Sequence, residues 1–177
     1  MEGTFQLHMM YSNDDGDTWS TPRNLNKAVK NPAWDAVWSS PGLGYQDYSG
    51  RLYFPLSRKS GDTFYSHFIY SDDHGESWSM SNAVHEKCEE WMLLQRSNGD
   101  LVANMRNHLE KNRRAISISS DQGSTWKDFK LDDELLSPVC QACLTWYDYK
   151  DKRYLLFSNP TSTQRERLSL KLNKDEG

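Results

Sequence analysis

An eight-residue pattern, S-x-D-x-G-x-S/T-W, occurs three times in this chain and constrains its fold more than any other feature. The copies are Ser12-Asn13-Asp14-Asp15-Gly16-Asp17-Thr18-Trp19, Ser71-Asp72-Asp73-His74-Gly75-Glu76-Ser77-Trp78 and Ser119-Ser120-Asp121-Gln122-Gly123-Ser124-Thr125-Trp126. Asn173-Lys174-Asp175-Glu176-Gly177 reads as the start of a fourth. Starts at 12, 71, 119 and 173 give steps of 59, 48 and 54 residues. A period of that size means one supersecondary unit per repeat. The pattern itself is a tight turn. The Asp carboxylate accepts backbone N–H bonds one or two residues on, Gly permits positive φ, the hydroxyls add local bonds, and Trp closes the loop. Strand-like residues precede each copy, at 6–11, 67–70 and 115–118, so each copy is expected to be a β-hairpin corner.

Short strands separated by turns continue along the chain, with almost no helical period, and predict an all-β fold. Residues 26–40 read as an irregular loop. Residues 90–95 and 101–106 are strands joined by Ser97-Asn98-Gly99. Residues 113–118 form a further strand. Residues 128–137 read as an acidic, solvated connection. Strands at 139–147 and 154–158 flank a polar turn at 148–152, and Asn159-Pro160 breaks the pattern before alternation resumes over 164–172. Gly42 and Gly44 are expected to let the backbone pass close to a neighbour, through packing or a ligand.

The turn between residues 95 and 101 decides a register. A three-residue loop with Gly in the left-handed region makes paired residue numbers sum to 196 and sets Glu90 opposite Arg106 on one face. A two-residue Asn-Gly turn shifts the sum to 197 and sends the two to opposite faces. On the first alternative a carboxylate meets a guanidinium at one end of a strand pair, and Glu89 turns to the other face.

The repeats resemble Asp-boxes, and the chain resembles the sialidases (neuraminidases), over nearly its whole length. That resemblance implies part of a six-bladed β-propeller, about three antiparallel four-stranded blades, with 1–177 as one partial domain. It also implies an exo-α-sialidase, a retaining hydrolase that removes terminal sialic acids from glycoproteins, gangliosides and oligosaccharides. A sialic acid carries a carboxylate, which guanidinium groups grip with planar paired donors. In this family a tyrosine is the nucleophile, a neighbouring glutamate takes its proton, and an aspartic acid protonates the leaving oxygen. Glu90 matches the glutamate, with Glu89 as competitor, and Arg106 the second arginine. Phe157-Ser158-Asn159-Pro160 followed by Arg165 resembles the segment with the third arginine. Arg167 shares its alternation parity and competes. Cys140-Gln141-Ala142 resembles a family segment on the next blade. Trp91 and Met92 depart from the family pattern after the glutamate. No residue matches the first arginine, the acid or the nucleophile; Asp35 lies too late, after the first box. The alternative is a non-catalytic Asp-box propeller that binds glycans or proteins, which needs arginines but no proton acceptor.

Net charge is −4 and mean hydropathy −0.87. These exclude a strongly basic nucleic-acid binder, and no apolar run approaches the roughly 20 residues of a membrane-spanning helix. No signal peptide shows at the start. Three cysteines make a complete disulfide framework unexpected; they read as buried thiols and weakly favour a reducing, cytoplasmic setting. The five histidines show no ligand spacing, so no metal and no cofactor are expected. A partial propeller leaves strand edges open, which predicts self-association.

Overall fold

The computed structural model describes residues 5–109 and 111–174. The fourth box expected at 173–177 falls largely outside the described residues. In chain order the elements are β1 (His8–Met9), β2 (Arg23–Asn24), α1 (Asn26–Val29), β3 (Ala36–Ser39), β4 (Tyr45–Gln46), β5 (Leu52–Ser60), β6 (Thr63–Ser71), β7 (Ser79–Met80) and β8 (His85–Glu86). They continue with β9 (Cys88–Gln95), β10 (Leu101–Asn107), β11 (Arg113–Ser119), β12 (Lys127–Leu136), β13 (Cys143–Tyr149), β14 (Lys152–Pro160) and β15 (Leu168–Asn173). The fold is all-β and every described pairing is antiparallel.

The strands form a series of sheets. β1 pairs β2; the next sheet has the path β3-β5-β6-β7, with β4 on β5 and β8 on β6. A four-stranded sheet β9-β10-β11-β12 follows, then β13-β14-β15. Each sheet packs face to face on the next, as in a propeller. The β9 sequence shows why. Alternate side chains of a strand point to opposite faces, and here both faces are covered. Trp91 and Leu93 join Tyr53 and Phe68 in one core. Met92 and Leu94 join Ala142, Leu144, Leu155 and Phe157 in another. A third core sets Leu25 and Val29 against Val37, Leu56, Ile69 and Trp78. A strand buried on both sides reads as a continuous apolar run rather than an alternating one.

The three boxes are hairpin corners, joining β1 to β2, β6 to β7 and β11 to β12. Their bonding differs from a simple Asx-turn. Asp14, Asp73 and Asp121 accept the backbone N–H four residues on, from Thr18, Ser77 and Thr125, at 2.9, 2.8 and 2.9 Å. The hydroxyls of the same three residues donate to the second carboxylate oxygen at 2.5 Å. Two residues of each turn take positive φ, for example His74 at 57° and Gly75 at 92°.

Several sequence expectations are corrected. Residues 26–40 are not all irregular, since they hold α1 and β3. The acidic segment after the third box is the strand β12. Its Lys127, Asp128, Lys130, Asp133 and Glu134 are charges on an edge strand, which discourage further pairing. Asn159-Pro160 does not break β14, which runs through both. Pro tolerates this place because β13 starts at Cys143, opposite Ser158, so residue 160 has only β15 beside it and is locally at an edge, and Asn159, buried, donates to the Leu136 carbonyl at 2.6 Å. The glycine at 42 serves packing: with φ at 129°, a Cβ there would fall 2.3 Å from the Met92 sulfur. Of the thiols only Cys88 is buried, and burial pushes it up to about 12; Cys143 is exposed.

Candidate functional site

The register of β9 on β10 follows the three-residue loop for most of its length. Gly99 has φ of 92°, and the Arg96 N–H donates to the Asp100 carbonyl at 2.8 Å. Pairs run from Leu101–Gln95 to Met105–Trp91, each summing to 196. One step further the register shifts, and Arg106 pairs with Glu89 instead of Glu90. Glu90 is the extra residue of a β-bulge, with φ of 39° in the left-handed region. It therefore does not sit directly opposite Arg106 as the sequence suggested. A bulge frees the inserted residue from strict alternation and re-aims its side chain.

Both carboxylates consequently reach one guanidinium. Arg106 Nη1 lies 2.5 Å from Glu90 Oε2 and 3.5 Å from Glu89 Oε1. Glu89 is not turned away to the other face; its side chain is 8% exposed against 25% for Glu90. Glu89 Oε1 also meets His108 Nε2 at 2.8 Å, and His108 stacks on Phe64. Glu89 is thus held from two sides in the interior, while Glu90 is the carboxylate that water or a ligand can reach. The Nε of Arg106 is buried and has no acceptor among the described residues.

The bulge is pinned from the neighbouring sheet. The Glu90 N–H donates to Ser57 Oγ at 3.2 Å, and Ser57 Oγ shares a bond with Ser40 Oγ at 3.0 Å. Trp91 Nε1 donates to the Leu56 carbonyl at 2.9 Å. From the other side comes Arg114, a residue the sequence reading passed over. It is fully buried. Its Nε donates to Asn104 Oδ1 at 2.7 Å and its Nη2 to the Asn104 carbonyl at 3.1 Å. Its Nη1 donates to the Cys140 carbonyl at 2.7 Å, and its Nη2 reaches the Glu90 carbonyl at 3.5 Å. Burial lowers its pKa, and the nearby Arg106 charge adds to that. One signal was available: Arg114 is in phase with Ile116 and Ile118 on β11, so a charge stood at an inward position.

Arg114 also ties the Cys140-Gln141-Ala142 segment to the site, and the Gln141 amide donates to the Pro41 carbonyl. Cys143 pairs with Ser158, so β14 runs towards the same end of the sheets and finishes there at Pro160. Arg165 lies just beyond, in the loop 161–167. It is exposed and has no ion pair among the described residues. Arg167 is 78% exposed and faces Glu166 at 3.8 Å. The boxes lie at the opposite end, because β11 begins beside Arg106 and ends at the third box. Asp35 is occupied locally, accepting the Gly61 N–H at 2.7 Å.

Comparison with known proteins fits this geometry. The BNR repeat-like domain family matches residues 2–177. A sialidase of Bacteroides fragilis (strain YCH46) is 34% identical over 184 residues, covering 100% of this chain and 34% of the relative. Among solved structures, a Hadza microbial sialidase superposes with a TM-score of 0.86 at 32% identity, over 97% of this chain and 35% of that one. A leech intramolecular trans-sialidase, complexed with 2,7-anhydro-Neu5Ac, gives a TM-score of 0.82 at 26% identity, over 94% and 26%. The chain thus spans about a third of the length of the sialidases it matches. No helix among the described residues is long and apolar enough to cross a membrane. With three box turns, face-packed antiparallel sheets and a match along nearly all its residues, the chain belongs to the BNR repeat-like domain family, and its relatives are sialidases.

Proposed function

We propose that these residues contribute one part of an exo-α-sialidase site, in which Arg106 and Arg165 grip the carboxylate of a terminal sialic acid and Glu90 accepts a proton. The observation that carries this reading is the Glu90–Arg106 pair, 2.5 Å apart on a bulge with positive φ. A non-Gly residue in that conformation costs about 1 kcal/mol or more, and a surface ion pair would not need it. A guanidinium that stays charged and offers paired donors suits a carboxylate. In the retaining scheme a neutral tyrosine approaches the anionic sugar, which would repel a carboxylate nucleophile, and Glu90 removes its proton. Arg106, 2.5 Å from Glu90 Oε2, orients that carboxylate for the transfer. Neither the tyrosine nor the acid has a match within these 177 residues, so the isolated chain is expected to bind without turnover.

The test is a calorimetric or NMR titration of the chain with N-acetylneuraminic acid, alongside an assay with a fluorogenic sialoside. Weak binding is expected, reduced about tenfold or more in Arg106→Ala and in Arg165→Ala by loss of a charge-assisted bond. Glu90→Gln keeps affinity within about twofold, because the proton acceptor is not needed for binding. Affinity unchanged in Arg106→Ala overturns the proposal. Turnover by the wild-type chain overturns the assignment of missing groups.

A further inference from the structure

Adjacent residues of β5 face opposite ways. Ser57 meets Glu90, and Arg58 opens on the other face of the sheet. The Arg58 guanidinium lies over the Tyr65 ring, 3.7 Å from its centroid, and 4.8 Å from the centroid of Trp34. Its Nε donates to His67 Nε2 at 2.8 Å. His67 is 4% exposed, and its Nδ1 lies 3.1 Å from the Ser81 carbonyl. A carbonyl only accepts, so Nδ1 carries the proton and Nε2 is free to receive the Arg58 bond. Burial pulls His67 down to about 4, so the ring is neutral at neutral pH. Two aromatic faces and a fixed imidazole therefore hold this guanidinium in one plane.

What holds it includes no acid. Arg51, Arg106 and Arg153 each pair with a carboxylate. Among the described residues, Arg58 has none within ion-pair distance. Arg58 lines a groove of about 570 Å³ together with Lys30, Asn31, Trp34, Ser81 and Asn82, and no acidic residue lines it. In a chain with 25 acidic residues and a net charge of −4, two cations in a groove without a carboxylate are a local reversal of sign. A planar guanidinium presented this way matches an oxyanion with two oxygens. Lys30, whose ammonium also reaches the Phe5 carbonyl at 3.4 Å, supplies a second charge, and the Asn31 and Asn82 amides supply neutral donors; the Ser81 hydroxyl is already given to the Asn82 carbonyl at 2.7 Å.

We propose that this groove is a second anion-binding site, on the face of the sheet away from Glu90 and Arg106, for the carboxylate or phosphate of a small ligand. It stands independently of the sialidase reading. The test is NMR of the whole 177-residue chain, following the Trp34 indole and Arg58 Nε–H signals. The probes are sodium glucuronate and inorganic phosphate, with sodium chloride at matched ionic strength as control. At least one probe is expected to give saturable shifts beyond the control. A response to glucuronate alone identifies a carboxylate ligand, and to phosphate alone a phosphate ligand. The shifts persist in Arg106→Ala and weaken about tenfold in Arg58→Gln. Should Arg58→Gln fail to fold, Arg58→Lys, which keeps the charge but loses the fork, and Lys30→Gln are each expected to weaken binding about threefold. Shifts no larger than the control, or affinity unchanged in these variants, overturn the site.

Discussion

Asp14, Asp73 and Asp121 are single residues on which whole corners depend. Each carboxylate is drawn down to about 2, first by the hydroxyl of the residue four on, with that residue's backbone N–H and the hydroxyl of the box's first serine adding to it. A folded-state pKa below the usual aspartate value of 3.8 means that this stabilisation is complete above that value. It is then lost as the pH falls through about 2. Asp121→Asn keeps the shape but loses the charge-assisted bonds. It should lower the melting temperature at pH 7, and the gap to wild type should close in melts taken from pH 4 towards pH 2. A gap that stays constant with pH would show that the charge is not what holds the corner. These turns were legible in the sequence because every bond is local and every partner lies within the eight residues. The reach of the carboxylate differs from the expectation: it is four residues rather than one or two.

Among the elements, β9 carries the lesson about legibility. Gly99 announced the three-residue loop, and the register from 101 to 105 followed from it. The bulge at Glu90 did not show, because nothing in Glu89-Glu90-Trp91 favours positive φ. Contacts from other sheets impose it: Ser57 holds the Glu90 N–H, Trp91 is anchored on Leu56, and Arg114 approaches from behind. Tertiary bonds between residues 24 to 35 positions apart leave no local pattern. β12 was missed for a different reason. Its exposed charges read as loop, although an edge strand needs only its backbone to pair. The bulge makes a prediction of its own. Gly tolerates positive φ and Ala does not, so Glu90→Gly should be more stable than Glu90→Ala by about 1 kcal/mol in urea unfolding. Equal stability, or the reverse order, would mean that residue 90 is not in the left-handed region in solution.

For the whole molecule, the governing fact is that sheets stack face to face and the outermost ones have uncovered surfaces. β15 is an edge strand whose Leu168, Leu170 and Leu172 are 80%, 69% and 50% exposed. An edge with unpaired backbone groups and an apolar stripe invites another strand. The 177-residue chain is expected to self-associate with rising concentration in sedimentation velocity, and Leu170→Lys to shift it towards monomer. A wild-type chain that stays monomeric throughout would show that these edges are closed in some other way. The stacking also explains how the residues of the proposed site can come from distant positions. Arg106 is on β10, and Arg165 follows β14 in the next sheet. Only the common polarity of the sheets brings both to the end away from the boxes.

Arg106 and Arg165 are proposed to act on one carboxylate beside Glu90. A crystal of this chain soaked with N-acetylneuraminic acid tests it most directly. Density is expected for the sugar with its carboxylate within hydrogen-bond distance of both guanidinium groups, and with Glu90 against the anomeric side. A sugar bound elsewhere, or held by Arg106 while Arg165 stays in solvent on the outer surface, would contradict it.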